Sequence, residues 1–168
     1  MGFLGSRQAN RSSREGIVYE TDFFRIAFPS NWTVVDREGV LNANAPENAF
    51  LTASAKLFVD LTTHKLREEW LMPTLQRARL ECDAVEVAYN NWRGWRGEGT
   101  RKRLRGWLGG NWLMCVVAYR SPIVVVVIAA TSELSLVAKM KPYFETCVES
   151  LLLAEDIVVA GPETTPSP

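Results

Sequence analysis

The sequence predicts an α+β fold: an α/β/α sandwich in which helices flank a central, mostly antiparallel sheet. Three observations support this fold class. Segments with the two-residue alternation of strands follow one another directly, an amphipathic helical pattern lies in the middle of the chain, and a second one closes it. Because successive strands are joined by turns rather than by helices, an antiparallel sheet fits better than a doubly wound parallel sheet.

The first strands are expected before residue 60. In "FRIAF", residues 24–28, phenylalanine and isoleucine alternate with arginine and alanine, as on a strand with one buried face. The turn residues "PSN" separate this segment from an extended run that begins at Trp32. We expect "NANAPENA" to be a polar loop and residues 50–58 to form a third strand.

An amphipathic helix is predicted from Thr62 to Leu80. Apolar residues recur there at steps of three and four, with charged residues between them. Pro73 lies inside the pattern, so a kink or two short helices are expected instead of one straight helix.

Strands should return after this helix, at about residues 85–89, through residues 91–112, and at residues 112–120 and 123–131, with "RSPI" as a tight turn between the last two. The run "IVVVVIAA" is apolar at every position, which predicts a strand covered on both faces. A closing helix is predicted from one apolar stripe, formed by Leu136, Met140, Phe144, Val148 and Leu151.

The length of 168 residues is that of one domain, which we place at residues 16–155. Residues 1–15 are polar and rich in arginine and serine, which predicts a flexible leader. Residues 156–168 are rich in proline, threonine and serine and are expected to be a disordered tail.

Composition narrows the classes of function. The 19 basic and 19 acidic residues cancel, so no global charge attracts nucleic acid or an anionic membrane. The apolar run at residues 123–130 is far shorter than the roughly 20 residues that span a bilayer. Three widely spaced cysteines without a C-x-x-C pair indicate a reducing compartment, so a cytoplasmic chain is expected.

The N-terminus raises the question of acylation. Gly2 with Ser6 fits the M-G-x-x-x-[ST] template for N-myristoylation, although the bulky Phe3 disfavours it. Contact with a membrane is expected only if Gly2 is acylated; the alternative is an unmodified leader.

Three phrases of the sequence, "FRIAFPSNWTVV", "WLMCVVAYRSPIVVVVIAATS" and "YFETCVESLLL", resemble the PsbP-like superfamily, which includes the DcrB-like proteins and the Ran-binding Mog-type import factors. The resemblance covers roughly residues 18–153. It implies an α/β/α sandwich that binds proteins and does not catalyse a reaction. Since no catalytic motif defines this superfamily, the resemblance assigns no functional residue.

The stretch "NWRGWRGEGTRKRLRGWLGGNW", residues 91–112, combines four tryptophans with six basic residues and one acid. We interpret it first as the arm of a β-hairpin with a solvated face, and second as a patch that binds acidic or hydrophobic segments of a protein, because arginine and tryptophan are enriched at interface hot spots. Binding of nucleic acid or another anionic surface is a further alternative. The candidate partner-binding residues are Arg93, Trp95, Arg96, Arg101, Lys102, Arg103, Arg105 and Trp107.

The sequence shows no pattern for catalysis, a cofactor or a metal. A zinc site needs about four closely spaced ligands, and His64 with three scattered cysteines does not supply them. We expect His64 to lie on a helix surface, Cys115 and Cys147 to pack in the core, and Cys82 to be exposed. The expected function is therefore that of a non-catalytic adaptor, chaperone or assembly subunit, with a small-molecule-binding protein as another alternative.

Overall fold

The computed structural model describes residues 7–12, 16–101 and 112–155. Within these residues the strands form two sheets, and every strand pair is antiparallel. The larger sheet contains β4 (Thr33–Arg37), β5 (Val40–Asn44), β6 (Ala49–Leu57), β7 (Ala84–Tyr89), β8 (Trp92–Thr100), β9 (Trp112–Arg120) and β10 (Ile123–Thr131). The smaller sheet contains β1 (Arg7–Ser12), β2 (Gly16–Glu20), β3 (Phe24–Phe28) and β11 (Leu152–Leu153).

The order of strands is β4-β5-β6-β10-β9-β8-β7 in the seven-stranded sheet and β1-β2-β3-β11 in the four-stranded sheet. Hairpin β9–β10 therefore lies at the centre of the larger sheet. Arg120 pairs with Ile123 across its two-residue turn, as "RSPI" predicts. The α+β sandwich that the sequence predicts is confirmed.

Two helical regions lie on opposite faces of the seven-stranded sheet. The first consists of α1 (Thr63–Lys65), a π-helical stretch (Leu66–Leu71) and α2 (Met72–Arg77), which together we call helical segment 63–77. It covers what we call the outer face. The inner face packs against α3 (Val137–Ser150), which follows a 3₁₀ turn (Leu134–Leu136), and against the four-stranded sheet.

Pro73 explains the break in the first helix. Proline has no N–H to donate to the preceding turn. Just before it, the N–H of Met72 donates to the carbonyl of Arg67, five residues back, where the π-helical stretch ends, and α2 begins with Pro73 in its first turn. The predicted division of this helix is confirmed, with a π-helical stretch between its two parts.

Hydrophobic side chains fill both faces of hairpin β9–β10. On the inner face, Met114 and Val125 pack in a cluster with Phe144 of α3. On the outer face, Val117 packs with Leu71 of helical segment 63–77. The prediction that β10 is covered on both faces is confirmed at most of its positions.

Phe144 connects α3 to two tryptophans of the inner core. Its ring centroid lies 5.8 Å from that of Trp32 and 5.9 Å from that of Trp112. The apolar stripe predicted for α3 is confirmed, because Met140, Phe144 and Val148 are all buried.

Two segments differ from the sequence-based expectation. Arg7–Ser12, inside the expected flexible leader, form β1 and pair with β2. Asn42–Asn44, inside the expected polar loop, belong to β5 and pair with β6. In both cases pairing with a neighbouring strand satisfies the backbone, which a pattern of side chains does not reveal.

We predict that the packing of β8 on β9 leaves no room for a side chain at Gly94. A Cβ atom there would lie 1.8 Å from the carbonyl oxygen of Val117, whereas one at Gly99 would lie 3.4 Å from Leu80. Gly94→Ala should therefore lower the free energy of unfolding by more than about 2 kcal/mol. Gly99→Ala, the control in the same strand, should change it by less than about 0.5 kcal/mol. Urea denaturation of both variants measures this difference, and equal stabilities would refute the packing of β8 on β9.

Candidate functional site

Strand β8 distributes the predicted partner-binding residues over both faces of the sheet. Arg93 and Trp95 lie on the outer face beside helical segment 63–77, whereas Arg96 lies on the inner face beside α3. Arg101 follows the strand and contacts the end of α2. The remaining candidates, Lys102, Arg103, Arg105 and Trp107, lie outside the described residues, as does Gly2.

Trp95 holds helical segment 63–77 on the sheet. Its indole N–H donates a hydrogen bond of 3.1 Å to the carbonyl of Thr63, and the side chain is half-buried. The guanidinium of Arg67 lies 5.6 Å from the centre of the ring, within the range of a cation–π contact. The contacts of this tryptophan are thus internal to the fold.

Arg96 belongs to a network of four charges that joins β8 to α3. Its guanidinium donates to Glu98 and, at 2.9 Å, to Glu145, while Glu98 also accepts from Lys141. Burial by itself opposes ionisation of Glu98, but the hydrogen bonds from Lys141 and Arg96 outweigh it and lower its pKa. Burial likewise disfavours the charged form of Arg96, and the two carboxylates outweigh it and raise the pKa of Arg96.

The three cysteines are all free, and their pKa values are raised. Burial raises the pKa of Cys115 and of Cys147 to about 12, so both thiols stay protonated, and their predicted place in the core is confirmed. Cys82 is half-buried, not exposed as expected. Burial is also the main reason that its pKa is raised, and the carboxylates of Asp83 and Glu98 act in the same direction.

A groove of about 670 Å³ lies on the outer face, where helical segment 63–77 ends and the open part of the sheet begins. Leu113, Val126 and Ile128 contribute apolar side chains from the two central strands. Phe50 and Ser54 line the groove from β6, and the opposite wall comes from the helical segment through Trp70, Thr74 and Ala78.

Strands β4, β5 and β6 have no helix over their outer face within the described residues. Helical segment 63–77 packs on β8, β9 and Val124 of β10 instead. Phe50 is consequently 43% exposed, and Val126 and Ile128 are only half-buried although the rest of their strand is covered. Exposed apolar surface beside a concave wall is typical of a binding site.

The edge of the groove carries an excess of positive charge. Lys56, Arg77 and Arg101 line it, together with the single carboxylate of Glu69. Arg101 donates through Nε to the carbonyl of Ala78 at 3.0 Å, and the ammonium of Lys56 lies 5.7 Å from the ring centre of Trp70. None of the three cations forms a salt bridge with a carboxylate of the described residues.

Two aromatic rings, those of Phe58 and Trp70, pack together at this edge of the groove. Phe58 packs edge-on against Trp70 with ring centroids 5.8 Å apart, and Phe58 is itself 41% exposed. Sequence reasoning placed Phe58 in a strand and Trp70 on a helix but did not connect them. The groove could not be predicted from the sequence. It depends on where helical segment 63–77 crosses the sheet, and the local pattern of apolar residues does not contain that information.

A second hollow, of about 1000 Å³, lies on the other side of helical segment 63–77. Arg93 lines it together with Glu86, Tyr119 and Arg120. Arg120 forms an ion pair with Glu155 at 2.9 Å. Arg93, a predicted partner-binding residue, is exposed in this hollow.

Other kinds of site have no candidate in the part of the chain that the structure describes. No cluster of histidine, cysteine and carboxylate side chains has the arrangement of a metal site among residues 7–12, 16–101 and 112–155. No helix in the same ranges has the length and apolarity to cross a membrane. His64 is exposed on α1, as predicted.

No protein-family model matches this chain, and no curated protein matches it. Solved structures do. The cyanobacterial PsbP (CyanoP) of Synechocystis sp. PCC 6803 matches with a TM-score of 0.56 at 12% identity, over 91% of this chain and 95% of that one. The Ran-binding protein Mog1p of Saccharomyces cerevisiae matches with a TM-score of 0.55 at 8% identity, over 90% of this chain and 96% of that one.

A protein of Bacteroides thetaiotaomicron matches over a smaller part of its length. Its TM-score is 0.55 at 13% identity, and the match covers 79% of this chain and 46% of that one, so this chain spans less than half of that protein. Identities this low show a common fold and nothing finer. The chain has the PsbP-like fold, and the resemblance seen in its sequence is confirmed at that level.

We predict that the charge network around Glu98 stabilises the protein only above acidic pH. The pKa of Glu98 is lowered from 4.5, so its contribution is complete above pH 4.5 and is lost as the pH falls through the lowered pKa. Glu98→Gln should cost about 1 kcal/mol at pH 7, a small value because the side chain is 31% exposed. Urea denaturation at pH 7 and pH 3.5 measures the free energy of unfolding of both proteins. The difference between variant and wild type should be smaller at pH 3.5; an equal difference at both pH values would contradict the network.

We predict that one of the three thiols reacts first with iodoacetamide in the folded protein at pH 8. Cys82 is half-buried, whereas the buried Cys115 and Cys147 remain protonated and covered. Peptide mass spectrometry should find the label at Cys82, with the other two labelled only in denaturant. Equal labelling of all three in the folded protein would show that the core is open.

Proposed function

We propose that this chain, with its PsbP-like fold, is a non-catalytic protein-binding module that acts as an adaptor, chaperone or assembly subunit of a larger complex. The observation that carries the proposal is the groove of the outer face, where exposed apolar side chains lie beside cations without a carboxylate partner in the described residues. Mog1p supports it by analogy, since a protein of the same fold is Ran-binding.

A partner would bind at the groove because covering its exposed aromatic side chains lowers the free energy of the complex. Burying the exposed part of Phe50, about 80 Å² of a ring of roughly 200 Å², would contribute about 2 kcal/mol at ~25 cal/mol per Å². Phe58 and Trp70 add to the same surface. Tryptophan and arginine, which the groove presents as Trp70 and Arg101, are enriched at interface hot spots.

Some residues of the arginine-rich stretch belong to the proposed binding surface, and others do not. Arg101 lies at the edge of the groove and Arg93 is exposed on the far side of helical segment 63–77, which supports including both in the proposed surface. Arg96 and Trp95 serve the fold through their internal contacts. Lys102, Arg103, Arg105 and Trp107 follow Arg101 in the sequence, and we include them in the proposed surface for their charge and aromatic character.

A cytoplasmic location is part of the proposal. Three free thiols are typical of a chain that works in a reducing compartment.

Affinity purification from the source cell tests this function. We expect the tagged wild-type chain to retain a protein partner at near-stoichiometric amounts, and Phe50→Ser to lose it because the apolar edge of the groove is removed. Tyr143→Ser is the matched control: Tyr143 is 47% exposed, against 43% for Phe50, but lies on α3 at the other face of the sheet. Quantitative mass spectrometry measures the partner in each eluate.

Two outcomes would count against the proposal. A wild-type chain that elutes alone would remove the adaptor function. Loss of the partner from Tyr143→Ser with retention by Phe50→Ser would move the binding surface to the face of α3. Circular dichroism confirms that both variants are folded.

A further inference from the structure

We propose that the groove of the outer face binds an acidic amphipathic helix of the partner protein, an inference that rests on the proposed function. The structure supports this occupant through the width of the open sheet, the distribution of its apolar side chains and the charges along the groove.

Within the described residues, the uncovered part of the sheet has the width of one helix. Three adjacent strands, β6, β5 and β4, continue beyond hairpin β9–β10, which helical segment 63–77 covers as far as Val124 of β10. At a spacing of about 4.8 Å the distance from β10 to β4 is about 14 Å, and a helix with its side chains is about 10–12 Å across. A helix placed there would lie beside helical segment 63–77 and complete the outer layer.

The length of the strands sets the length of the helix. Strands β6 and β10 each have nine residues, which corresponds to about 30 Å of extended chain. A helix of about 20 residues spans the same distance. The helix would cross the strands at an angle, so a segment of about 15 to 20 residues is the size that fits.

Most of the apolar surface of this open area lies on one side, although Val35 of β4, at the edge of the sheet, is also 41% exposed. Val126 and Ile128 of β10 and Phe50 of β6 lie next to helical segment 63–77. Toward the edge of the sheet the same face carries polar residues, such as Asn42 and Asn44 of β5, which pair with Thr52 and Phe50. A bound helix therefore needs a narrow apolar stripe with polar flanks, which defines an amphipathic helix.

The charges select an acidic helix. Lys56, Arg77 and Arg101 oppose a single Glu69 along the groove. Arg96 and Lys139 have carboxylate partners elsewhere in the described residues, whereas Arg25 and Lys65 also lack one, so it is the apolar strip beside them that distinguishes the cations of the groove. Cations without such a partner beside an apolar strip favour a segment that alternates carboxylates with leucine-like side chains, and they accelerate its association.

A nucleic-acid strand fits this surface less well. Its phosphates would pair with the cations and its bases would stack on exposed rings, but Val126 and Ile128 are aliphatic and offer no ring for stacking. The helix satisfies the cations and the apolar strip together.

A display library tests this inference even while the natural partner is unidentified. The probe is a library of helical segments of about 18 residues with randomised surfaces, selected against the wild-type chain. We expect enriched segments to repeat apolar residues at steps of three and four and to carry a net negative charge. Their affinity, measured by fluorescence anisotropy of labelled peptides, should fall at least about tenfold for Lys56→Glu/Arg77→Glu and should weaken with salt.

The control is Arg25→Glu/Lys65→Glu, which changes the net charge by the same amount at exposed positions outside the groove. Enriched segments should bind this control as they bind wild type. Circular dichroism and urea denaturation verify that both double variants fold.

Several results would overturn the inference. They are enrichment of basic or uncharged segments, equal affinity of acidic segments for the two double variants, and no enrichment at all. A concentration-dependent dimer that Phe50→Ser abolishes would assign the groove to a second copy of this chain. If wild type retains its natural partner while the library yields no acidic helix, the proposed function stands and only the chemistry of the partner is wrong.

Discussion

The rest of the structure depends on the burial of hairpin β9–β10 on both faces. A strand pair that is apolar on both sides needs two covering layers, because either face left in water would forfeit its hydrophobic stabilisation. Helical segment 63–77 provides one layer; α3 and the four-stranded sheet provide the other. With both layers present, Phe144 of α3 packs against Trp32 and Trp112. The charge network of Glu98 joins α3 to β8.

The two layers are not equally wide, and this difference creates the candidate site. The inner layer reaches from β5 to β8 through buried residues such as Leu41 and Trp92. The outer layer, in the described residues, is one broken helix over β8, β9 and part of β10. The strands beyond it keep Phe50 partly exposed, and the cations Lys56 and Arg101 lie at the boundary. The same arrangement therefore stabilises the fold and leaves a surface that a partner can complete.

Local periodicity explains which parts of this structure the sequence could predict. The alternation of residues 24–28, the uninterrupted apolar run of β10 and the stripe of α3 each report their own burial, and all three are confirmed. Strand β11 is only two residues long, too short for a period, and was missed. The arginine-rich stretch was interpreted as one surface, yet strand alternation sends Trp95 and Arg96 to opposite faces, where different elements cover them. The groove required the lateral position of helical segment 63–77, which only the tertiary structure contains.

Hydrogen exchange of the chain with and without its purified partner tests most directly the claim that the chain works through contact on the outer face. Binding on the outer face should slow amide exchange in β6 and in the π-helical stretch Leu66–Leu71, next to the groove, and leave exchange in α3 unchanged. Protection confined to α3 and the four-stranded sheet would contradict it, because the partner would then lie on the inner layer.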